Sequence, residues 1–255
     1  MSSFNKQLIK LISQARNPVC LTGEELSRLA HISPPSESED YKATQNPDQL
    51  NYADLHRIEL KWFKNATSAS ALSGHTALCR LSKLFPRFQH YTTATDGLFQ
   101  RSGLPTTELY GNVTSWTCKT NSFMQLSPSG LYLPAKCNDH PNSNIEEGIC
   151  NNCGGPLRLG LVYYNENQGS ADISSAVEAV KSSDFVLIVG LSIKTHPGQT
   201  IIAPALAART PIIEISQAPA IPFTLAFPVQ GNPSKLLKDL EKAIIRAQFK
   251  YAPRK

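Results

Sequence analysis

The sequence predicts an α/β protein built around a doubly wound parallel sheet. Residues Phe185–Val189 form a continuous apolar run that Gly190 ends, which is typical of a central strand buried on both faces. A segment of helix-forming composition, 174–182, precedes this run. A second helical segment at 203–208 leads into another short apolar run at 211–215. Helix, strand, helix and strand at this spacing indicate βαβ units, whose parallel strands share one sheet.

The N-terminal part predicts a further strand of the same sheet. Apolar residues recur at helical spacing over 4–15, and 18–21 is a short buried strand that Thr22 and Gly23 close. Ligands of doubly wound sheets bind at the carboxyl ends of the strands. On the C-terminal strands, this rule predicts a ligand near Gly190, Ser192 and Ser216.

The turn after the first strand carries two carboxylates. It reads Thr-Gly-Glu-Glu-Leu-Ser over 22–27, where a phosphate-binding turn needs bare backbone N–H groups. Glutamates at the start of a helix also complement the helix dipole. The sequence alone favours this second interpretation for Glu24 and Glu25.

The remaining segments complete the α/β pattern. Asp96 and Gly97 form a turn signal, and Arg101 with Asp96 is either an ion pair behind a pocket or a surface pair. A C-terminal amphipathic helix begins after Asn232 as its N-cap. The other predicted segments are a polar loop, two helices and a strand: 33–51, 55–64, 69–84 and 89–93.

Bulk composition fits an ordinary globular protein. The chain has 255 residues, 41% of them hydrophobic and 18% charged, enough for a sizeable core. The net charge of +5 is scattered until the tail, so no specific nucleic-acid surface is indicated. No apolar run approaches the ~20 residues that span a bilayer, and the first residues lack a signal-peptide core. We expect an intracellular protein without a membrane segment.

Four cysteines mark a change in composition over 115–156. Cys150 and Cys153 are separated by two asparagines and followed by two glycines, a knuckle typical of tetrahedral zinc sites. Cys118 adds a third thiolate, and either Cys137 adds the fourth or the site is incomplete. We predict a structural zinc on these cysteines.

This cysteine segment also divides the chain. We predict a large α/β domain over 1–114 and 157–255, with the small zinc domain at 115–156 inserted between the two parts. The segment 33–70 is predicted as an insertion of loop and helix within the large domain.

Six segments together resemble one known family. In chain order they are Val-Cys-Leu-Thr-Gly at 19–23, Asp-Gly-Leu-Phe-Gln-Arg-Ser-Gly at 96–103, Glu-Leu-Tyr-Gly at 108–111, Cys-Asn-Asn-Cys-Gly-Gly-Pro-Leu-Arg at 150–158, Val-Tyr-Tyr-Asn-Glu at 162–166 and Gly-Leu-Ser-Ile at 190–193. Each is a weak signal, but six in order are specific. The chain resembles a sirtuin, an NAD-dependent protein deacylase, over nearly its whole length. Its layout is most similar to fungal relatives of the desuccinylase-type branch.

The resemblance implies a Rossmann-like large domain and a small zinc domain, with NAD and an acyl-lysine peptide meeting in the cleft between them. In the family the peptide adds as a strand between the domains, and 162–166 is the matching segment. Tyr110 stands at the position of the catalytic histidine, with Asp96 beside the cofactor. The residues that the resemblance places on the cofactor are Thr22, Gly23, Ser27, Asp96, Gly190, Ser192 and Ser216.

The chain departs from the family at positions that carry its chemistry. Tyr110 replaces the base, and Ala94 replaces the asparagine that contacts the nicotinamide ribose. Glu24 and Glu25 stand in the family's Gly-Ala-Gly turn, and the Pro-Asp-Phe-Arg stretch that covers the cofactor is absent.

The energetic costs of these substitutions favour a loss of deacylase activity. An ordinary tyrosine has a pKa near 10, so its phenolate is roughly 4 kcal/mol uphill at pH 7. A carboxylate about 5 Å from a pyrophosphate charge is repelled by roughly 3 kcal/mol at an effective dielectric constant near 20. We therefore expect NAD binding to be weak or lost.

Three functional hypotheses follow. The leading one is a catalytically impaired sirtuin-like protein that acts by binding a protein or an acyl-lysine-type peptide in the interdomain cleft. The second is an active NAD-dependent deacylase or ADP-ribosyltransferase that uses Asp96 and Tyr110 in altered chemistry. The third is a nucleotide-binding sensor in which Gly190, Ser192 and Ser216 hold an adenosine.

Overall fold

A computed structural model of the chain describes residues 4–44, 51–118, 125–126, 132–133, 144–151, 154–163, 170–194 and 196–251. Their strands are β1 (Pro18–Thr22), β2 (Gln89–Thr92), β3 (Thr107–Glu108), β4 (Gly111–Cys118), β5 (Gln125–Leu126), β6 (Tyr132–Leu133), β7 (Leu157–Leu161), β8 (Phe185–Val189), β9 (Ile212–Ser216) and β10 (Phe227–Gln230). Their helices are α1 (Lys6–Gln14), α2 (Glu25–Leu29), α3 (Glu39–Thr44), α4 (Tyr52–Ser68), α5 (Ser73–Ser82), α6 (Leu98–Arg101), α7 (Ser170–Lys181), α8 (Gly198–Ala208) and α9 (Pro233–Tyr251), with a 3₁₀ turn at Pro35–Glu37.

Six strands form one sheet in the spatial order β10-β9-β8-β1-β2-β3. All its neighbouring strands are parallel. The chain therefore builds outward from β1 in one direction, then crosses to β8 and builds outward in the other. The order reverses between β1 and β8, the place where doubly wound sheets leave a crevice for a ligand. The predicted fold class and the central position of β8 are confirmed.

Helices cover both faces of this sheet. One core cluster joins α1, α2, α5 and α9 to Phe185, Leu187 and Val189 of β8. The other joins α7 and α8 to Val186 and Ile188 of the same strand. All five side chains of β8 are buried, and each contributes about 1.5–3 kcal/mol by leaving water. The apolar run has no polar alternation because neither face of β8 meets solvent.

A second, smaller sheet pairs β4 with β7 in antiparallel register. Helix α4 packs on it, and its Ile58, Trp62 and Ala66 share a buried cluster with Val113 and Leu159. The register shifts between Asn112 and Trp116. The small sheet thus includes part of the segment that the sequence assigns to an insertion. The domain boundaries themselves stay predictions.

Some local predictions change in the structure. The polar segment predicted as a loop from residue 33 contains a 3₁₀ turn and α3, and residues 45–50 lie outside the described part. Asn232 caps α9 as predicted, since its Oδ1 accepts from the N–H of Lys235 at 3.1 Å. None of the described helices is long and apolar enough to cross a bilayer.

Arg101 has a structural role that the sequence left open. Its guanidinium donates to the carbonyl oxygens of Ala66 at 2.7 Å, Ala69 at 3.3 Å and Thr67 at 3.4 Å. These carbonyls lie at the C-terminus of α4, where helix carbonyls run out of partners within the helix, and that of Ala66 also accepts from the N–H of Ala69 at 3.3 Å. On Asp96 it reaches the backbone oxygen, at 3.3 Å. Arg101 therefore caps α4.

Candidate functional site

The crevice at the switch point begins where β1 and β8 end. The N–H of Gly23 donates to the carbonyl of Val189 at 3.0 Å, and the N–H of Gly190 donates to that of Ile215 at 2.9 Å. A Cβ on Gly23 would come within 3.0 Å of the Gly190 backbone. Gly190 has a left-handed φ of 58°, which side chains adopt at a cost. Both glycines therefore let the two chain segments touch at the floor of the crevice.

Glu25 lies across this crevice. Its Oε1 accepts from the hydroxyl of Ser216 at 2.6 Å, and its Oε2 accepts from the N–H of Gln217 at 3.1 Å. Its Cβ packs over Gly190, where an added Cβ would come within 3.0 Å of it. The carboxylate thus occupies two hydrogen-bond donors at the carboxyl end of β9, which a ligand in the crevice would otherwise meet. The side chain does more than complement the dipole of α2.

Glu24 points to the other side of the cleft, although it is the next residue in the chain. It lines a cavity of about 290 Å³ together with Tyr110 and His196. Outside the cavity it pairs with Arg28 at 3.6 Å, and Arg28 also pairs with Glu37. Burial raises the pKa of Glu24, and the charges of Glu37 and Asp96 raise it further against the opposing effect of Arg28. The two glutamates therefore act on different parts of the cleft.

Asp96 lies at the inner end of the same region. It is 3% exposed, and its Oδ1 accepts from the N–H of Leu98 at 2.8 Å across Gly97, which has a φ of 68°. Its Oδ2 is buried without a hydrogen-bond partner among the described residues. Asp96 lines a small cavity of about 20 Å³ with Glu24 and Ser27. A buried carboxylate oxygen without a partner is costly, so this oxygen is placed to receive a donor.

Tyr110, at the predicted catalytic position, carries a firmly protonated phenol. Its O–H donates to the carbonyl of His196 at 3.4 Å. Burial raises its pKa to about 12, with further contributions from Glu24 and Tyr41. A general base works best with a pKa near the operating pH. At neutral pH this side chain is therefore a hydrogen-bond donor and a poor base.

Glu108 is a titratable group that the sequence reasoning missed. Burial raises its pKa to about 7, the hydrogen bonds from Asn112 lower it, and the charge of Asp96 raises it. The Asn112 amide donates to its two oxygens at 2.8 and 2.9 Å. Groups tuned to neutral pH concentrate at functional sites. The sequence signal was present, because Glu108 opens the segment 108–111 that contains Tyr110.

The hydroxyl of Thr22 belongs to a buried network. It donates to Thr92 Oγ1 at 2.8 Å and lies 2.9 Å from His90 Nε2. Thr22 is 1% exposed, so its hydroxyl is not accessible to a ligand, and at most its backbone is. Ser27 is buried beside the small cavity, whereas Ser192 is exposed after β8. Their predicted contacts with a cofactor stay predictions.

Two of the predicted zinc ligands come together. Cys118 at the end of β4 and Cys150 share a small buried cluster with Leu157. Cys137 and Cys153 lie outside the described residues. Within the described part of the chain, no group of three metal-binding side chains occurs. Two neighbouring thiols fit half of a tetrahedral zinc site.

Comparison with known proteins identifies the family. Residues 30–197 match the Sir2 family. The chain belongs to the Sir2 family. It is 26% identical over 247 residues to NAD-dependent protein deacylase 2 of Pyrobaculum aerophilum, covering 92% of this chain and 94% of that protein. It is 23% identical over 260 residues to an NAD-dependent protein deacylase of Methylococcus capsulatus, covering 96% and 99%.

Solved Sir2 structures share the fold. A Sir2 homologue in complex with NAD superposes with a TM-score of 0.74 at 20% identity, covering 96% of this chain and 95% of that one. A Sir2 protein with an inhibitor, 2'-O-acetyl-ADP-ribose and a deacetylated peptide superposes with a TM-score of 0.70 at 15% identity, covering 93% and 98%. The family resemblance read from the sequence is confirmed.

The family uses NAD, and the β9 end of this crevice does not fit a dinucleotide as it stands. Ser216 and the N–H of Gln217 are held by the Glu25 carboxylate. A phosphate or a ribose there would have to displace a side chain whose charge is repulsive to phosphate. We therefore derive no chemical step through the cofactor in this chain.

Proposed function

We propose that this Sir2-family protein binds a protein or peptide in the cleft between its two sheets and does not deacylate it. The observation that carries the proposal is the position of Glu25, whose carboxylate bonds to Ser216 and Gln217. The cofactor must bind before any chemistry can occur, and the Glu25 carboxylate opposes that first step. Tyr110, with its pKa raised to about 12, supports the same conclusion at the later step of proton transfer.

The other half of the cleft remains suited to binding. The cavity of about 290 Å³ is bordered by Leu161, the last residue of β7, and by Val162 and Tyr163, which follow the strand. Among the described residues the strand that pairs with β7 is β4. The first part of its second edge is occupied, since the N–H groups of Leu157 and Leu159 donate to the Gly148 carbonyl and to Glu59. An added strand would therefore pair beyond Leu159, along the wall of the cavity. Recognition by strand addition needs backbone edges and side-chain pockets and no catalytic base. This is the mode in which we propose that a peptide binds.

Calorimetric titration with NAD and with ADP-ribose tests the proposal. We expect no measurable binding by the wild-type protein, and binding of ADP-ribose by Glu25→Ala. Glu25→Gln is the matched control, because it removes the charge and keeps a side chain of the same size over Gly190. If the crevice is closed by occupation, Glu25→Gln stays closed. If charge alone closes it, both variants open equally.

The same titration separates the competing functions. Nicotinamide release from NAD by the wild-type protein, with an acetylated or succinylated peptide present, would overturn the proposal in favour of an active deacylase or transferase. Binding of ADP-ribose by the wild-type protein without turnover would favour a nucleotide-binding sensor.

We also propose a structural zinc on Cys118, Cys137, Cys150 and Cys153, supported by the buried proximity of Cys118 and Cys150. Metal analysis of purified protein should give close to one zinc per chain, and Cys137→Ser should lower it. An unchanged zinc content in that variant would remove Cys137 from the ligand set. An intracellular location and a relation to the fungal desuccinylase-type branch stay predictions.

A further inference from the structure

Two neighbouring cavities form the inner half of the cleft. The outer one, of about 290 Å³, and the inner one, of about 20 Å³, share Glu24, Pro34, Pro35 and Thr95 in their walls. These shared residues make the two cavities neighbours, so a ligand that enters the outer cavity would have its tip directed toward the inner one. An inner cavity of about 20 Å³ holds one water-sized group. A planar ring with a carboxamide is larger than that.

The walls of both cavities carry acidic groups and no lysine or arginine among the described residues. Glu24 lies in the shared wall and Asp96 in the inner one. Asp96 Oδ2 is buried and has no hydrogen-bond partner in the described part of the chain. Arg28 reaches Glu24 at 3.6 Å, but the Arg28 side chain is 44% exposed and Glu37 shares it. The cavity therefore has negative charge that the protein only partly compensates.

The outer cavity offers surfaces for an alkyl chain that carries a cation. Leu161 and Val162 form an apolar part of its wall, and the rings of Tyr41 and Tyr110 form another. Aromatic faces attract cations within about 6 Å of the ring centroid. An ammonium group also has three N–H donors and no acceptor, which matches Asp96 Oδ2, the oxygen without a donor among the described residues.

We propose that this cavity binds a primary alkylammonium group, with its –NH₃⁺ in the inner cavity between Asp96 and Glu24. The proposal rests on the function proposed above and names the ligand of the same cleft. Two sources share this chemistry: the unmodified lysine side chain of a peptide, and a free aliphatic amine. In either case the ligand has the charge that the cleft lacks.

One observation favours a competitor. Trp62 also lines the inner cavity, and its Nε1 is buried without a partner among the described residues. A neutral primary amide would accept from Trp62 and donate to Asp96, whereas an ammonium satisfies Asp96 and Glu24. The charges decide for the ammonium, because both carboxylates attract a cation, whereas a neutral amide gains only one hydrogen bond to Asp96 and one from Trp62.

The test is calorimetric titration of the full chain with four probes: n-butylammonium, acetamide, a short peptide with one unmodified lysine, and the same peptide with Nε-acetyl-lysine. We expect the lysine peptide to bind at least about tenfold more tightly than the acetylated one. Binding of n-butylammonium alone identifies the free amine as sufficient. Binding of the peptide alone assigns the ligand to a protein partner.

Two variants and one control locate the ammonium group. Asp96→Asn keeps the oxygen that accepts from Leu98, and Glu24→Gln keeps the shape of the side chain, so both should fold; thermal unfolding checks this. Each should weaken binding of the amine probes at least about tenfold. Asp40→Asn is the control, because Asp40 pairs with Lys61 at 2.7 Å and lines neither cavity. It should change affinity less than about twofold.

Tighter binding of acetamide or of the acetylated peptide would overturn the inference, as would undiminished amine binding by folded Asp96→Asn. In the first case the acetylated peptide still binds without turnover, and the proposed function stands. Turnover of NAD by the wild-type protein would instead remove the proposed function, whatever the amine result.

Discussion

The carboxylates at the two ends of this cleft differ in how the protein satisfies them. At the β9 end, both oxygens of Glu25 accept hydrogen bonds from Ser216 and Gln217. At the inner end, Asp96 leaves one oxygen without a partner among the described residues. The first carboxylate is satisfied by the protein itself and closes its site. The second is unsatisfied and marks a site that is open to a ligand. Adjacent residues in one turn, Glu24 and Glu25, serve the two ends.

The largest expected effect is on catalysis, when the residues typical of the family are restored one step at a time and the two ends of the cleft lose their difference. Tyr110→His alone should give no measurable deacylation, since in the proposed function the cofactor does not bind and a base has nothing to act on. Adding Glu25→Ala, then Glu24→Ala and Ala94→Asn, should first restore NAD binding and then activity, with gains that do not simply add. The complete set should gain roughly 4 kcal/mol or more in transition-state stabilisation. Nicotinamide release at each stage measures this, and turnover by Tyr110→His alone would contradict it.

Gly190→Ala should be the most damaging single change at the β9 end. The new Cβ would come within 3.0 Å of the Glu25 side chain, at a φ of 58°, so we expect a loss of about 3 kcal/mol. Gly154→Ala is the matched control, because Gly154 has a φ of 70° and open space around it. It should lose only about 1 kcal/mol, from the left-handed backbone.

Denaturant unfolding measures both variants. Since the clash is with the Cβ of Glu25, Glu25→Gly should recover part of the loss in a Gly190→Ala background, and Glu25→Ala should not. Equal losses for Gly190→Ala and Gly154→Ala would show that Glu25 does not pack on Gly190.

Glu108→Gln tests the inner end of the cleft through the pH dependence of the free energy of unfolding. The pKa of Glu108 is raised to about 7 from its ordinary value of 4.5, so the folded state holds the proton more tightly than the unfolded state does. Its stabilising protonated form is fully present below pH 4.5 and is lost as the pH rises through 7. The variant should therefore be more stable than the wild type at pH 8, by about 1 kcal/mol after solvent screening, and equal to it near pH 4.

Unfolding free energies at these two pH values test this prediction. Glu178→Gln serves as the control, since Glu178 lies on the surface of α7 in a pair with Lys181 and should change little at either pH. A gain for Glu108→Gln that is the same at both pH values would exclude titration as its cause.

The smallest expected effect is that of Arg28→Gln. Arg28 lowers the pKa of Glu24, so its removal should raise that pKa further, and a carboxyl NMR titration of Glu24 would detect the change. Stability should change by at most about 0.5 kcal/mol, because the pair is exposed. An unchanged Glu24 pKa would mean that the two side chains do not interact.

The sequence determined the scaffold through local patterns. The unbroken apolar run of β8 and the glycine after it predict a central strand, because burial on both faces leaves no polar alternation. Asn232 before Pro233 predicts the start of α9, because a cap is satisfied within one turn. The prediction that Tyr110 stands where the family has a histidine also comes from the sequence, since it needs only the position in a motif. Each of these depends on neighbours within a few residues.

The tertiary structure decided what Glu24 and Glu25 do. Glu25 meets Ser216, 191 positions away in the chain, and Glu24 faces Tyr110 and His196 across the cavity. No local pattern separates two adjacent glutamates, because the direction of each side chain depends on how α2 docks over Gly190. The same holds for Thr22, whose hydroxyl turns to His90, and for Arg101, which caps a helix 35 positions away. Such partners are fixed when the strands and helices pack, since only packing brings distant donors and acceptors within hydrogen-bond distance.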